Sequence, residues 1–186
     1  MNLQELIMTR RSVKDFKQDP VSLELIEQLL NTAVWAPNHK HTEPWRFILL
    51  NEGEIKNQYL ELRKQIAYNK VPDASEEAKT ANAERIFQTL SKVPLFMFTA
   101  MKENEDAVRE QEDFAACCCV IQNFLLLAWE RGIGTAWKTF TDVEEVRTLL
   151  KIEKDEKVVS VLHIGYPQTL PESHPRTPVK EKIIVF

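Results

Sequence analysis

Apolar positions recur along this chain at two spacings, and they divide it into elements. Leu3, Leu6 and Ile7 lie at helical spacing and predict a short amphipathic helix ending near Arg10. After the break at Pro20, Ser22 is a helix cap, and Leu25, Ile26, Leu29, Leu30, Ala33 and Val34 form one core stripe. That helix stops before Ala36-Pro37, because a residue preceding proline avoids the helical region. Trp45 to Leu50 reads as a buried strand. Ile55, Tyr59, Leu62 and Ile66 mark the next helix face, and Pro94 opens an apolar strand from Leu95 to Met101. Thr141-Asp-Val-Glu144 has the form of a capping box and predicts a helix to Leu150. Lys157 to Ile164 is a further strand, Gly165-Tyr166-Pro167 a turn, and Ile183 to Phe186 a last strand-like run. Residues 70–92 are polar and alanine-rich with a cap at Ser75, and a mobile lid is one reading of them.

The longest signal is the stretch from Asp106 to Trp137. Between Phe114 and Trp129 only Gln122 and Asn123 are polar. Acids crowd its start and Arg131-Gly132 marks its end, which predicts a helix of roughly 26 residues, about 39 Å long. A helix apolar all round must be wrapped on every side. Its apolar run is shorter than the roughly 18 residues of a membrane span, so the wrapping is expected from protein, including a second copy of the chain. Helices and strands mix without a βαβ rhythm, which makes α+β the expected class.

At 186 residues the chain is expected to form a single domain, 1–186. A formal charge of −4 argues against nucleic acid or an anionic membrane as the main partner. The absence of a signal peptide or transmembrane run predicts a cytoplasmic location. Cys117, Cys118 and Cys119 are consecutive and cannot bridge one another on a helix. They read as small buried hydrophobes in a reducing compartment. With four glycines in all, the chain has neither a G-x-G-x-x-G turn nor a phosphate-loop lysine.

Two stretches carry chemistry. Arg10-Arg11-Ser12-Val13-Lys14 sets four anion-binding side chains within five residues, although arginines at a helix end also complement its dipole. Asn38-His39-Lys40-His41-Thr42-Glu43 is dense in donors and acceptors. It reads as a solvated loop or, through His39, His41 and Glu43, as a metal site that lacks a cysteine partner.

Both stretches, with a third, resemble one family. Arg10 to Phe16 resembles the R-R-S-x-R/K-x-F motif of the bacterial FMN-dependent nitroreductases. Ala36 to Phe47 is similar to their A-P-S-x-x-N-x-Q-P-W-x-F, in the form seen in the short, minimal branch. Gly132-Ile-Gly-Thr-Ala-Trp137 is similar to G-L-G-T-x-W. The resemblance implies a nitroreductase-like fold: a central mixed or antiparallel sheet flanked by helices, with the long helix at a homodimer interface and the C-terminal segment exchanged with the partner. It implies FMN at that interface, NADH or NADPH as donor, and a small acceptor such as a nitroaromatic or quinone. Arg10 and Ser12 would hold the phosphate, with Arg11 in the motif and Arg176 as a third cation, and Lys14 would meet the N1 and O2 edge of the ring. His39 and Trp35 would reach the partner's flavin. Trp137, Lys138 and Thr139 would bring backbone and one cation to the cofactor. His41 and Glu43 depart from the family's asparagine and glutamine, and Glu43 is expected to face away or pair with Lys40. No side chain is expected to act as a catalytic acid or base, because the flavin carries the reaction. Two other readings stay open: the same fold holding FMN as a store or sensor without turnover, and a metal-dependent hydrolase at His39 and His41.

Overall fold

The apolar strand expected after Pro94 runs from Leu95 to Lys102 (β2) and builds two cores at once. Its alternation sends Leu95 and Met97 to one face of a sheet and Phe96 and Phe98 to the other. In the computed structural model, which describes residues 2–71 and 75–186, the order is α1 (Leu3–Thr9), α2 (Leu23–Ala33), β1 (Trp45–Leu50), α3 (Glu54–Asn69), α4 (Glu76–Ser91), β2, α5 (Ala107–Glu130), β3 (Gly134–Lys138), α6 (Glu144–Leu149) and β4 (Glu156–Gly165). The strands form one antiparallel sheet in the order β1-β2-β4-β3. On the first face, Ile26 and Leu29 of α2 and Val120, Ile121 and Phe124 of α5 pack on Met97, Leu162 and Ile164. On the second face, Tyr59 of α3, Leu90 of α4 and Val146 of α6 pack on Phe96, Phe98 and Val161. Tyr59 is fully buried and meets both phenylalanines edge-on, with ring centroids 5.3 and 5.6 Å away.

The caps lie where the side chains can reach orphan amides. Ser22 Oγ accepts from Leu25 N at 3.1 Å, Ser75 Oγ from Ala78 N at 3.2 Å, and Asp106 from Val108 N at 3.0 Å. Gly132, at φ +73°, takes the left-handed turn after α5. Three sequence expectations are corrected. Thr141 does not cap α6: the helix starts at Glu144 after an extended Val143, and Asp142 pairs with Arg147 at 3.1 Å instead. Gly134–Lys138, for which the pattern predicts no element, is a strand because β4 offers it a full ladder. Ile183 to Phe186 forms no strand; it follows a 3-10 turn at Val179–Lys182 and is exposed. The three cysteines are not all buried: Cys117 is, Cys118 is half-buried and Cys119 is exposed.

Within the expected lid, 76–91 is helix α4, laid against α3 with Ala83 and Leu90 buried; residues 72–74 lie outside those described. Run length is not what separates α5 from a membrane span, because its best window has a mean hydropathy of 1.3 and is long enough to cross. Its surroundings are those of a core helix. It packs against α2 and the sheet, and its buried Asp113 accepts from Thr42 Oγ1 at 2.8 Å. One stripe of α5, through Gln111, Ala115, Cys119 and Gln122, is left open.

Candidate functional site

The Arg10–Phe16 segment leaves α1 in extended form and threads between β3 and the turn after β4. Val13 N donates to Thr135 O at 2.9 Å and Lys17 N to Tyr166 O at 2.8 Å. Ser12 bridges Thr135 in parallel. Val13 and Phe16 are buried, so strand alternation turns Ser12 and Lys14 outward. Two glycines make the approach possible. A Cβ on Gly134 would lie 2.6 Å from Val13 Cγ2, and one on Gly165 would lie 2.8 Å from Phe16 Cδ1.

At one end of this segment three guanidinium groups gather. The half-buried Arg10 has its pKa lowered by burial first, and then by the positive charges of Arg11 and Arg176. Arg11 Nη1 donates to the carbonyls of Met8 and Arg10 at 2.7 and 2.8 Å, completing the end of α1. Arg176 Nη1 donates to His174 O at 3.1 Å. No carboxylate among the described residues pairs with any of the three. Like charges held together without a counter-ion are the chemistry of an anion site.

At the other end, Lys14 joins Lys138 and Thr139 around a cavity of about 290 Å³, with Arg63, Leu90 and His163 in its walls. The register explains the company: Lys138 lies opposite Val161 and Ala136 opposite His163, so Lys138 and His163 share the α3 face of the sheet. His163 is 8% exposed and stacks edge-on to Phe96 at 5.0 Å. Burial, then Lys138 and Arg63, hold its pKa down at about 3, so the ring is neutral. Trp137 alternates to the opposite face and lines neither this cavity nor its neighbour. Nothing in the sequence marks His163 or Arg63: one sits in an apolar strand and the other on an ordinary charged helix.

The 36–44 loop lies at a second cavity, of about 540 Å³, lined by Trp35, Asn38, His41 and Glu43. Lys40, His41 and Glu43 have φ of 54°, 55° and 44°. Non-glycine residues in this region store strain of about 1–3 kcal/mol each, and such strain concentrates where a loop must present its side chains. Glu43 faces this cavity and makes no pair with Lys40; its amide donates to Asn38 Oδ1 at 3.1 Å. His39 turns instead to α5, its Nδ1 3.0 Å from Glu112 Oε1. The described residues contain no cluster of three or more His, Cys, Asp or Glu able to hold a metal. The two cavities share no lining residue within one chain.

Comparison with known proteins gives a consistent answer. The nitroreductase family profile matches residues 7–166. YfhC of Bacillus subtilis (strain 168), provisionally named an NAD(P)H nitroreductase, is 36% identical over 182 residues, covering 97% of this chain and 92% of that protein. An iodotyrosine deiodinase of Nematostella vectensis is 27% identical over 173 residues, covering 85% and 64%. Among solved structures, a nitroreductase-like family protein from Bacillus cereus superposes with a TM-score of 0.86 at 32% identity, covering 100% and 96%. The fold is also shared with a mutant of the FMN and NADPH-dependent nitroreductase NfnB from sphigopyxis sp. strain HMH, at a TM-score of 0.78 and 18% identity, covering 100% and 99%.

Proposed function

This chain belongs to the nitroreductase family, and from that premise we propose that it is an FMN-dependent oxidoreductase drawing on NADH or NADPH and serving a small organic acceptor. The observation that carries the reading is the unopposed Arg10, Arg11 and Arg176 cluster placed one extended segment away from the Lys14 and Lys138 cavity. A flavin mononucleotide has those two needs: a dianionic phosphate at one end and a ring that gains negative charge at the other. FMN, when bound, supplies the two-electron chemistry that no side chain here offers. Arg10, Arg11, Ser12 and Arg176 hold the phosphate through charge-assisted hydrogen bonds. Lys14 and Lys138 set positive charge where the ring is received, and the neutral His163 adds none. Apolar walls such as Leu90 and Val161 keep water from the ring's buried side.

The second half-site implies a second chain. Trp35 is 88% exposed, and Ile183 to Phe186 form an exposed apolar run. We infer an obligate homodimer in which Trp35, His39 and His41 approach the partner's flavin, Thr139 completes the chain's own site, and the C-terminal segment lies on the partner. Such an interface exceeds roughly 2,000 Å². Relatives include a deiodinase and, in Rhodospirillum rubrum, a 5,6-dimethylbenzimidazole synthase, so membership alone does not fix the acceptor.

The test is direct. The purified protein should be yellow, release FMN on heating, and oxidise NADH or NADPH when a nitroaromatic or quinone is supplied. FMN without oxidation of either donor would instead support storage or sensing, and a colourless protein unable to take up FMN would overturn the reading.

A further inference from the structure

Arg63 stands in the wall between two cavities. It lines the pocket of about 290 Å³ with Lys14 and Lys138, and also an outer cavity of about 640 Å³ between α3, α4 and the approach to α6. The outer cavity combines apolar Ile66, Ile86 and Val143 with the cations Lys70 and Arg85, and Glu145 is the one acid among its described lining residues. Arg63 Nη1 donates to the buried Tyr59 hydroxyl at 2.9 Å, and its Nε is buried without a hydrogen-bond partner. No carboxylate among the described residues pairs with Arg63 or Arg85. A half-buried guanidinium with no counter-ion is costly, and an entering anion relieves that cost. The whole chain carries net charge −4, so a positive cavity runs against its overall balance.

We propose that the outer cavity is the acceptor subsite and that Arg63 selects acceptors bearing a carboxylate on a small aromatic body. This rests on the FMN reading above. A planar guanidinium matches a carboxylate through two parallel bonds, and the apolar walls match the aromatic body. Arg63 borders the pocket that receives the flavin ring, so the anion must sit close to the reacting end of its molecule. A ring carboxylate does so. The pyrophosphate of a nicotinamide donor is set off from its reacting ring by a ribose.

The experiment compares 4-nitrobenzoate with the uncharged 4-nitrobenzamide on FMN-loaded wild type, Arg63→Met, Arg63→Lys and Tyr59→Phe. In the wild type, KM for the benzoate should be about tenfold below that for the amide, the scale of one charge-assisted hydrogen-bonded contact. Arg63→Met should abolish the difference and Arg63→Lys should restore part of it. Tyr59→Phe, which breaks the 2.9 Å bond but keeps the charge, should preserve it. Benzoate titrated calorimetrically into the oxidised holoprotein should give the same order of affinities without turnover. Equal KM values for the two acceptors in the wild type would overturn the proposal. So would an Arg63→Met variant whose KM rises for NADH and not for 4-nitrobenzoate, since the anion would then be the donor's phosphate. A protein that binds FMN and reduces both acceptors indifferently to charge overturns this inference alone. One that binds no FMN overturns the flavin reading with it.

Discussion

Val13 donates its amide to the Thr135 carbonyl at 2.9 Å, and this bond joins the Arg10–Phe16 segment to the strand that carries Lys138. It passes above Gly134, where a methyl group would lie 2.6 Å from Val13 Cγ2. Gly134→Ala should therefore cost about 1–3 kcal/mol of stability, the usual range for overpacking. It should also weaken FMN binding, because Ser12 and Lys14 move with Val13. Val13 Cβ would lie 2.8 Å from the same methyl group, so trimming Val13 to alanine leaves an obstruction and should not restore stability. Chemical denaturation of Gly134→Ala beside wild type checks this, and wild-type stability in the variant would mean the approach is not close.

Loss of one phosphate ligand should be felt directly. Arg10→Ala is expected to weaken FMN binding by about 1.5–3 kcal/mol, the value of a hydrogen bond to a charged group. Fluorescence titration of apoprotein with FMN measures it, and wild-type affinity in the variant would remove Arg10 from the site.

Lys14 is expected to favour the reduced, more negative flavin. Replacing it with methionine should cost about 1.5–3 kcal/mol of that preference and lower the two-electron midpoint by about 30–65 mV. Spectroelectrochemical titration of FMN-loaded Lys14→Met beside wild type reads this shift. An unchanged midpoint with FMN fully bound would return Lys14 to an ordinary surface role.

His163 predicts an acid-side slope. Its folded pKa of about 3 lies below the ordinary 6.5. As pH falls through 6.5 the unfolded chain takes up a proton that the folded chain refuses until about pH 3. Stability from this group is thus complete above 6.5 and declines toward 3, by up to about 1.4 kcal/mol per pH unit. His163→Gln should remove that slope. Parallel urea titrations at pH 7, 6 and 5 compare the two proteins, and identical pH dependence would contradict the assigned burial.

His39 tests the arrangement between subunits. His39→Ala removes the 3.0 Å contact with Glu112 that fixes the 36–44 loop to α5, and should alter FMN affinity or the flavin's visible spectrum while sedimentation still reports a dimer. A monomeric wild type that holds FMN would contradict the shared site.

Most of the frame could be read from local pattern. Ser22, Ser75 and Asp106 sit where caps are needed, and Leu25 to Val34 keeps one face throughout. The basic run at Arg10 is legible because its residue types need no fold to be recognised. His163 and Arg63 were not visible, because their meaning depends on which side of a sheet they face, and strand register decides that. β3 was hidden for the same reason: its five residues become a strand only through the ladder with β4. Thr141 does not cap because the helix begins later, at Glu144 after the extended Val143, and Asp142 beside it pairs with Arg147.

The pocket of Lys14, Lys138 and His163 is drawn from an N-terminal segment, a strand after the long helix, and the final strand of the sheet. Contacts so far apart in sequence are the slowest to form, because loop closure must precede any gain from them. A pocket drawn from such distant segments is expected to form late in folding. FMN at a thousand times its dissociation constant would then add about 4 kcal/mol to the native state and almost nothing to its precursors.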